Sequence, residues 1–248
     1  MKLYEINREE RHFGFLFMSS IIFNDKFRAE LFSLFNERLD TSLDPNDFDV
    51  YAKVAIFRDY WKSFGDYKKY TQELHLLRLA FLRKLLNSMK INSELIKKED
   101  LFWTKGIETS KLWYPGRWHK EKIRKIEGKH GIDEKMLWRC RWLCNAKPDV
   151  MIQSGNNILF IEIKVESGMG STEEGYNQEQ TQEDIIRVGK KLICWMQNTN
   201  SQRINLSHAE EEKGILWQDI LQILSKHEGT GSGHEMIMKH LSNMPKVV

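Results

Sequence analysis

The stretch Lys147-Pro148-Asp149-Val150-Met151-Ile152-Gln153-Ser154-Gly155-Asn156-Asn157-Ile158-Leu159-Phe160-Ile161-Glu162-Ile163-Lys164-Val165 decides how this chain is read. Its middle, Ser154-Gly155-Asn156-Asn157, carries the Gly and Asn residues that tolerate the backbone of a tight hairpin turn. Residues 149–153 before it and 158–165 after it read as strands. The second is nearly all apolar and is expected to be buried on both faces. Residues two apart on a strand point to one side. Glu162 and Lys164 therefore project together, while Ile161, Ile163 and Val165 project oppositely. The hairpin also returns Asp149 to the neighbourhood of Glu162. Three ionisable groups then meet on an otherwise apolar sheet, where each would cost on the order of several kcal/mol if unpartnered. A chain that keeps them there has a use for them.

Upstream, Trp138, Cys140, Trp142 and Cys144 alternate with Arg139, Arg141 and Leu143, a period of two that predicts another strand. Downstream, residues 167–175 form a Gly-rich loop. A helix follows over about 180–198, with Ile185, Gly189, Leu192, Ile193 and Met196 facing inward. Residues 203–208 suit a short strand and 217–226 a helix. The glycines and serine of 229–233 precede a last amphipathic piece. The N-terminal half reads as helical. Asn7 with Glu10 at the third position makes a capping-box pattern, and Phe13, Leu16, Phe17 and Ile21 recur at helical spacing. Leu43-Asp44-Pro45-Asn46 has turn chemistry. A second helix is expected over 47–63, burying Tyr51, Val54, Ala55 and Trp61. A third is expected over 67–89, with Tyr70, Leu74, Leu77, Phe81 and Leu85 in one stripe. These helices would pack as a bundle or sheathe a sheet. The fold class is α/β, or α+β, with a mixed sheet. Residues 1–130 form the mainly helical part and 131–248 the core.

Two carboxylates beside a lysine suit divalent-metal chemistry on a phosphodiester. Mg²⁺ prefers oxygen ligands and keeps several waters. Asp149 and Glu162 are the candidate metal ligands, and the backbone carbonyl of Ile163 between them is a further one. Lys164 would orient the attacking water or stabilise developing charge.

Pro148-Asp149 followed by Glu162-Ile163-Lys164 on the next strand resembles the signature of the PD-(D/E)XK, or restriction-endonuclease-like, nucleases. The order helix, three strands, helix, strand agrees with it, with an N-terminal helical extension added. Asn7-Arg8-Glu9-Glu10-Arg11-His12-Phe13, Cys144-Asn145-Ala146-Lys147-Pro148-Asp149 and Ile161-Glu162-Ile163-Lys164-Val165-Glu166-Ser167-Gly168 look like uncharacterised prokaryotic restriction-like proteins. The resemblance implies an endonuclease that needs Mg²⁺ or Mn²⁺, leaves a 5′-phosphate and a 3′-hydroxyl, and serves restriction or anti-phage defence. It also implies an acidic residue on the first core helix, for which Glu10 is the candidate and Glu9 the second. A polar residue on the helix after the third strand is implied as well; Gln178, Gln180 and Gln182 are available and Gln180 is favoured. This chain lacks a clean Gln-x3-Tyr pattern there. Glu166 would join the acidic cluster or sit at its rim.

Composition bounds the rest. The 248 residues are 41% hydrophobic and 29% charged, with a net charge of +3, as expected of a soluble globular chain. Neither a membrane-spanning run nor a secretory leader is apparent, so the expected location is the cytoplasm. Three sparse cysteines, Cys140, Cys144 and Cys194, predict free thiols. His119, His130, His208, His227, His234 and His240 lack metal-ligand spacing, and no P-loop, dinucleotide-binding Gly motif or Gly-x-Ser-x-Gly elbow is present. Residues 105–129 combine Lys105, Lys111, Arg117, Lys120, Lys122, Arg124, Lys125 and Lys129 with nearby tryptophans. Either they hold phosphates and stack bases, or they are a Trp-rich core loop with solvated lysines. Arg187, Lys190 and Lys191 would contact a phosphate backbone. DNA is the expected partner, RNA the alternative polymer, and a homodimer would suit cleavage of both strands. The rival reading is a catalytically silent nuclease-fold module that binds nucleic acid or regulates an assembly.

Overall fold

The computed structural model describes residues 10–66, 69, 71–93, 112–121, 123–124, 132–164, 178–207 and 215–227. Its elements are α1 (Glu10–Phe23), α2 (Asp25–Leu39), β1 (Asp49–Ala52), α3 (Ile56–Ser63), α4 (Gln72–Ser88), α5 (Glu134–Asn145), β2 (Val150–Ser154), β3 (Asn157–Ile163), α6 (Gln178–Leu192), β4 (Asn200–Ser207), β5 (Ile215–Leu216) and α7 (Trp217–Lys226). The fold is mixed α/β, as the sequence pattern predicts. The capping Asn7, the loop at 167–175 and the piece after residue 228 lie outside the described residues.

The described residues gather into two compact units. The first holds 10–54, 148–164, 199–207 and 215–227; the second holds the described parts of 55–147 and 178–198.

Unit 1 contains a five-stranded sheet in the order β1-β2-β3-β4-β5. β1, β2 and β3 are antiparallel neighbours, whereas β4 runs parallel to β3 and β5 parallel to β4. The β2–β3 hairpin forms where the sequence placed it. Ser154 pairs with Asn157 across a two-residue turn, and Gly155 takes a φ of 51°, a region open to glycine at no steric cost. All seven residues of β3 are buried. Asn157 braces the turn end of the hairpin: its Nδ2 donates to the Ser42 carbonyl and hydroxyl at 3.1 and 2.9 Å.

One face of the sheet is apolar. Val150, Ile152, Leu159, Ile161, Ile163, Ile204 and Leu206 form one buried cluster with Leu16, Phe17 and Ile21 of α1, Phe27, Leu31 and Phe35 of α2, and Trp217, Ile220 and Leu224 of α7. Each such side chain contributes about 1.5–3 kcal/mol on burial. Gly14 of α1 permits a close approach, because a Cβ there would lie 3.4 Å from Ile163 Cδ1. Phe17 meets Phe27 and Trp217 edge-on, with ring centroids at 6.4 and 6.2 Å.

Unit 2 gathers α3, α4, α5 and α6 around aromatic side chains. Phe81 has ring neighbours in Phe57, Tyr60, Trp61 and Phe64. Arg78, fully buried, donates to the Gly65 carbonyl at 2.7 Å and lies over the Trp61 ring. Asp184 of α6 accepts from Arg139 of α5 at 2.8 and 3.3 Å and from Arg187 Nε at 3.1 Å. Gly189 and the Cys194–Met196 turn fold together: a Cβ on Gly189 would meet the Met196 sulfur at 2.6 Å.

Three expectations are corrected. Residues 134–145 are a helix, α5, where alternation predicted a strand. Asp133 caps it by accepting from the Lys135 N–H at 2.9 Å, and Leu137, Cys140 and Cys144 fall on one buried helical face. Residues 47–63 are not one helix: 49–52 form β1, and α3 begins only at Ile56. Tyr51 is exposed there, although Ala55 and Trp61 are buried as expected. The helix predicted over 67–89 begins at Gln72 behind a Thr71 cap, and Leu77 in its stripe is exposed. The helix α2, capped by Asn24 accepting from the Phe27 N–H, was not anticipated. By contrast, 217–226 is the predicted helix, and β4 extends the predicted strand at its N-terminal end.

Candidate active site

The site lies where β2 begins and β3 ends. Asp149 immediately precedes β2, and antiparallel pairing sets Val150 opposite Ile161. That register carries the Asp149 side chain to the last residues of β3. Its Oδ2 accepts from the Ile163 N–H at 2.8 Å. A residue in a strand sends its N–H and C=O toward the same edge. The Ile163 carbonyl therefore faces the Asp149 side, as a shared cation would require.

Glu162 and Lys164 stand on one side of β3, with Lys164 Nζ 3.5 Å from Glu162 Oε1. The Lys164 backbone is held from both directions. Its N–H donates to the Leu206 carbonyl at 2.9 Å, and its carbonyl accepts from Trp217 Nε1 at 2.9 Å. β4 and the first residue of α7 thereby fix the lysine's position beyond the formal end of β3.

Asp149, Glu162 and Lys164 are all buried. Burial, followed by the charge of Asp149, pushes the Glu162 carboxyl up to about 7; Lys164 and Lys53 pull it the other way. A carboxyl whose proton affinity is raised by a neighbouring carboxylate marks a centre that favours bound positive charge.

Two further residues enter that sequence reasoning missed. Lys53 follows β1 and donates from Nζ to Asp149 Oδ1. It was hidden because 47–63 reads as helical, and nothing in that stretch signals a lysine turned toward Asp149. Asn205 pairs with Glu162 in the parallel β3–β4 register, so the two side chains share a sheet face. It is buried and accepts from Arg203 Nη1 at 3.0 Å. A signal was available for it. Arg203 and Asn205 alternate with the core residues Ile204 and Leu206, the same period-two pattern that exposed Glu162 and Lys164.

The other candidates stand as follows. Glu10 is the first residue of α1, and its side chain, like Glu9 and Glu166, lies outside the described residues. Gln178, Gln180 and Gln182 lie on α6 in unit 2. Arg187, expected on a phosphate backbone, donates to Asp184 and to the Ser88 carbonyl. Lys190 and Lys191 occupy the last turn of α6. Of the basic segment 105–129, most lies outside the described residues. Within it, Pro115–Arg117 forms a single tight turn, and Tyr114 donates to the Cys144 carbonyl. Its Trp118 is buried. The three cysteines are free thiols.

Among the described residues there is no group of three or more His, Cys, Asp or Glu side chains able to hold a metal. The donor set here is smaller: two carboxylates and a backbone carbonyl. That suits Mg²⁺, which commonly takes one or two carboxylates and retains waters. No helix among the described residues is long and apolar enough to cross a membrane. Comparison with protein-family models, curated proteins and solved structures finds no match to this chain.

Proposed function

We propose that this protein is a divalent-metal-dependent endonuclease of the restriction-endonuclease-like class, acting on DNA. One observation carries the reading: Asp149 and Glu162 converge, buried, at the end of a hairpin, with Lys164 two residues along the same strand. The topology supports it. The resemblance implies a helix, three strands, a helix and a strand; α1, then β1, β2 and β3, then α6 and β4 follow that order, with β1 in place of the strand expected at 138–144 and α3, α4 and α5 between β1 and β2.

In this reading Asp149 and Glu162 hold Mg²⁺ or Mn²⁺, with the Ile163 carbonyl beside them. A bound cation would supply Lewis-acid polarisation of the phosphoryl oxygen and a more acidic water. Lys164, its backbone clamped by Leu206 and Trp217, orients that water and stabilises charge developing on the phosphate. Asn205 stands beside Glu162 across the β3–β4 ladder, on the same sheet face. A role in restriction or anti-phage defence, and action as a homodimer, belong to the same proposal.

A second reading has an observation in its favour. Lys53 already pairs with Asp149, so the carboxylate has a protein cation, as it would in a catalytically silent nuclease-fold module. The two readings part in a substrate panel. Supercoiled plasmid, single-stranded DNA and RNA are incubated with Mg²⁺, Mn²⁺ or EDTA. The nuclease reading expects metal-dependent cutting of DNA with 5′-phosphate ends. Binding without cutting under every metal would favour the silent module, and cutting confined to RNA would change the substrate.

A further inference from the structure

Asp149 is an asymmetric carboxylate. Oδ2 is committed to the Ile163 N–H at 2.8 Å, inside the fold. Oδ1 faces Lys53 Nζ. The two partners of that second contact differ in burial: the Asp149 side chain is 3% exposed and that of Lys53 is 44% exposed. A lysine stem can lift its ammonium into water easily, whereas the carboxylate cannot follow. The contact therefore opens from the lysine side.

The backbone also holds Lys53 there. β1 pairs with β2 through Ala52 and Val150, and the Lys53 N–H extends the ladder by donating to the Asp149 carbonyl at 3.2 Å. Lys53 then takes a φ of 51°, a left-handed conformation that glycine or asparagine adopts more readily than lysine. A lysine at this position is thus explained by its side chain rather than by its backbone. That side chain reaches the one Asp149 oxygen not bonded to β3.

We propose that Lys53 is a displaceable counter-ion: it occupies the Asp149 oxygen that a divalent cation would take, and so sets how tightly the site accepts that cation. The inference rests on the reading of Asp149 and Glu162 as cation ligands. Binding is then an exchange, in which the metal takes Oδ1 and the ammonium moves into solvent. Lys53 is a positioning residue by this account. It keeps Asp149 in place without the metal and weakens metal affinity by competition.

The sign of the effect separates this from a merely structural role. A lysine that only braced the site would, when removed, loosen Asp149 and weaken cation binding. A competing lysine would, when removed, strengthen it. The test is Mn²⁺ binding to the full chain, followed by calorimetry and by the electron-paramagnetic signal of free Mn²⁺. Wild type is compared with Lys53→Met, Lys53→Gln and Lys53→Arg, and melting temperature is recorded for each. Loss of the competing charge should tighten Mn²⁺ binding roughly three- to tenfold in the Met and Gln variants, the scale of a half-exposed ion pair. Lys53→Arg, which keeps the charge, should stay near wild type. Unchanged or weaker binding in both neutral variants overturns the proposal while leaving the cation site standing. Equal tightening in Lys53→Arg also overturns it. If neither wild type nor the neutral variants bind Mn²⁺, the cation-site reading itself fails and the proposal falls with it.

Discussion

Each unit buries acidic side chains, and the two do so in opposite ways. Asp184 in unit 2 is 2% exposed and is met by two guanidinium groups, from Arg139 and Arg187. One negative charge has two cations and several hydrogen bonds around it. Asp149 and Glu162 in unit 1 are buried to a similar degree, yet they lie close enough to repel each other. Their cations are two lysines, Lys53 half-exposed and Lys164 buried 3.5 Å from its carboxylate. Asp184 is an over-neutralised carboxylate that joins helices. The Asp149–Glu162 pair has only one lysine for each carboxylate, and Glu162 is pushed up to about 7, by burial first and then by the charge of Asp149. A carboxylate kept for stability is surrounded until its charge is answered. A pair that meets only one lysine per carboxylate would, on the proposed reading, take a further cation from outside.

That contrast can be broken at several points. The largest effect is expected at Lys164. Lys164→Ala should reduce DNA cleavage by on the order of 10²–10³-fold, the loss associated with one electrostatic stabiliser. Its far-ultraviolet circular dichroism should remain that of wild type. Retained cutting would mean the reacting groups lie elsewhere.

Next come two substitutions of opposite sign. Asp184→Ala strands Arg139 and Arg187, both partly exposed, and should cost about 2–3 kcal/mol, less than for a fully buried pair. Glu162→Gln should stabilise the protein at high pH in EDTA. The folded Glu162 carboxyl holds its proton more tightly than the unfolded one, so its contribution is most favourable below the unfolded value of 4.5. That contribution is lost as pH rises toward about 7, and above 7 the charged form is a burden. Removing the charge should therefore gain on the order of 2–3 kcal/mol at pH 8 and little near pH 4.5. Urea titrations at the two pH values check this. A loss of stability at pH 8 would place Glu162 in the same class as Asp184.

Smaller effects sharpen the picture. Mn²⁺ at about one hundred times its dissociation constant should stabilise wild type by about 2.7 kcal/mol, and Asp149→Asn should abolish the shift. Trp217→Phe removes the donor to the Lys164 carbonyl and should cost about 1–2 kcal/mol in denaturant. Its cleavage should fall more than that stability loss explains, because the clamp on Lys164 is gone.

The hairpin was legible because its signals agree. Gly155-Asn156 demands a tight turn, the Ile158–Ile163 run demands burial, and alternation sets Glu162 against its apolar neighbours. Helix α7 was legible for the same reason: Trp217, Ile220 and Leu224 recur on one face. Helix α5 misled because Trp138-Arg139-Cys140-Arg141-Trp142 alternates by chance within a helical segment. Its Asp133 cap and the helix-forming Glu134-Lys135-Met136-Leu137 were the better guides. β1 was obscured by the absence of a side-chain cap at Ala55, where α3 starts, so the sequence offers no boundary there. Lys53 vanished with it. Of the candidate site, Asp149, Glu162, Ile163 and Lys164 follow from local pattern. Lys53 and Asn205 depend on neighbouring strands, and that information is long-range.

The central claim is that the Asp149–Glu162 pair is arranged to receive a divalent cation. Anomalous diffraction at the manganese edge, from crystals of the wild-type chain grown with Mn²⁺, addresses it most directly. The account predicts one strong peak about 2–2.5 Å from carboxylate oxygens of both Asp149 and Glu162, with Lys53 Nζ withdrawn from Asp149. A Mn²⁺ peak elsewhere, with Lys53 still on Asp149, would contradict it.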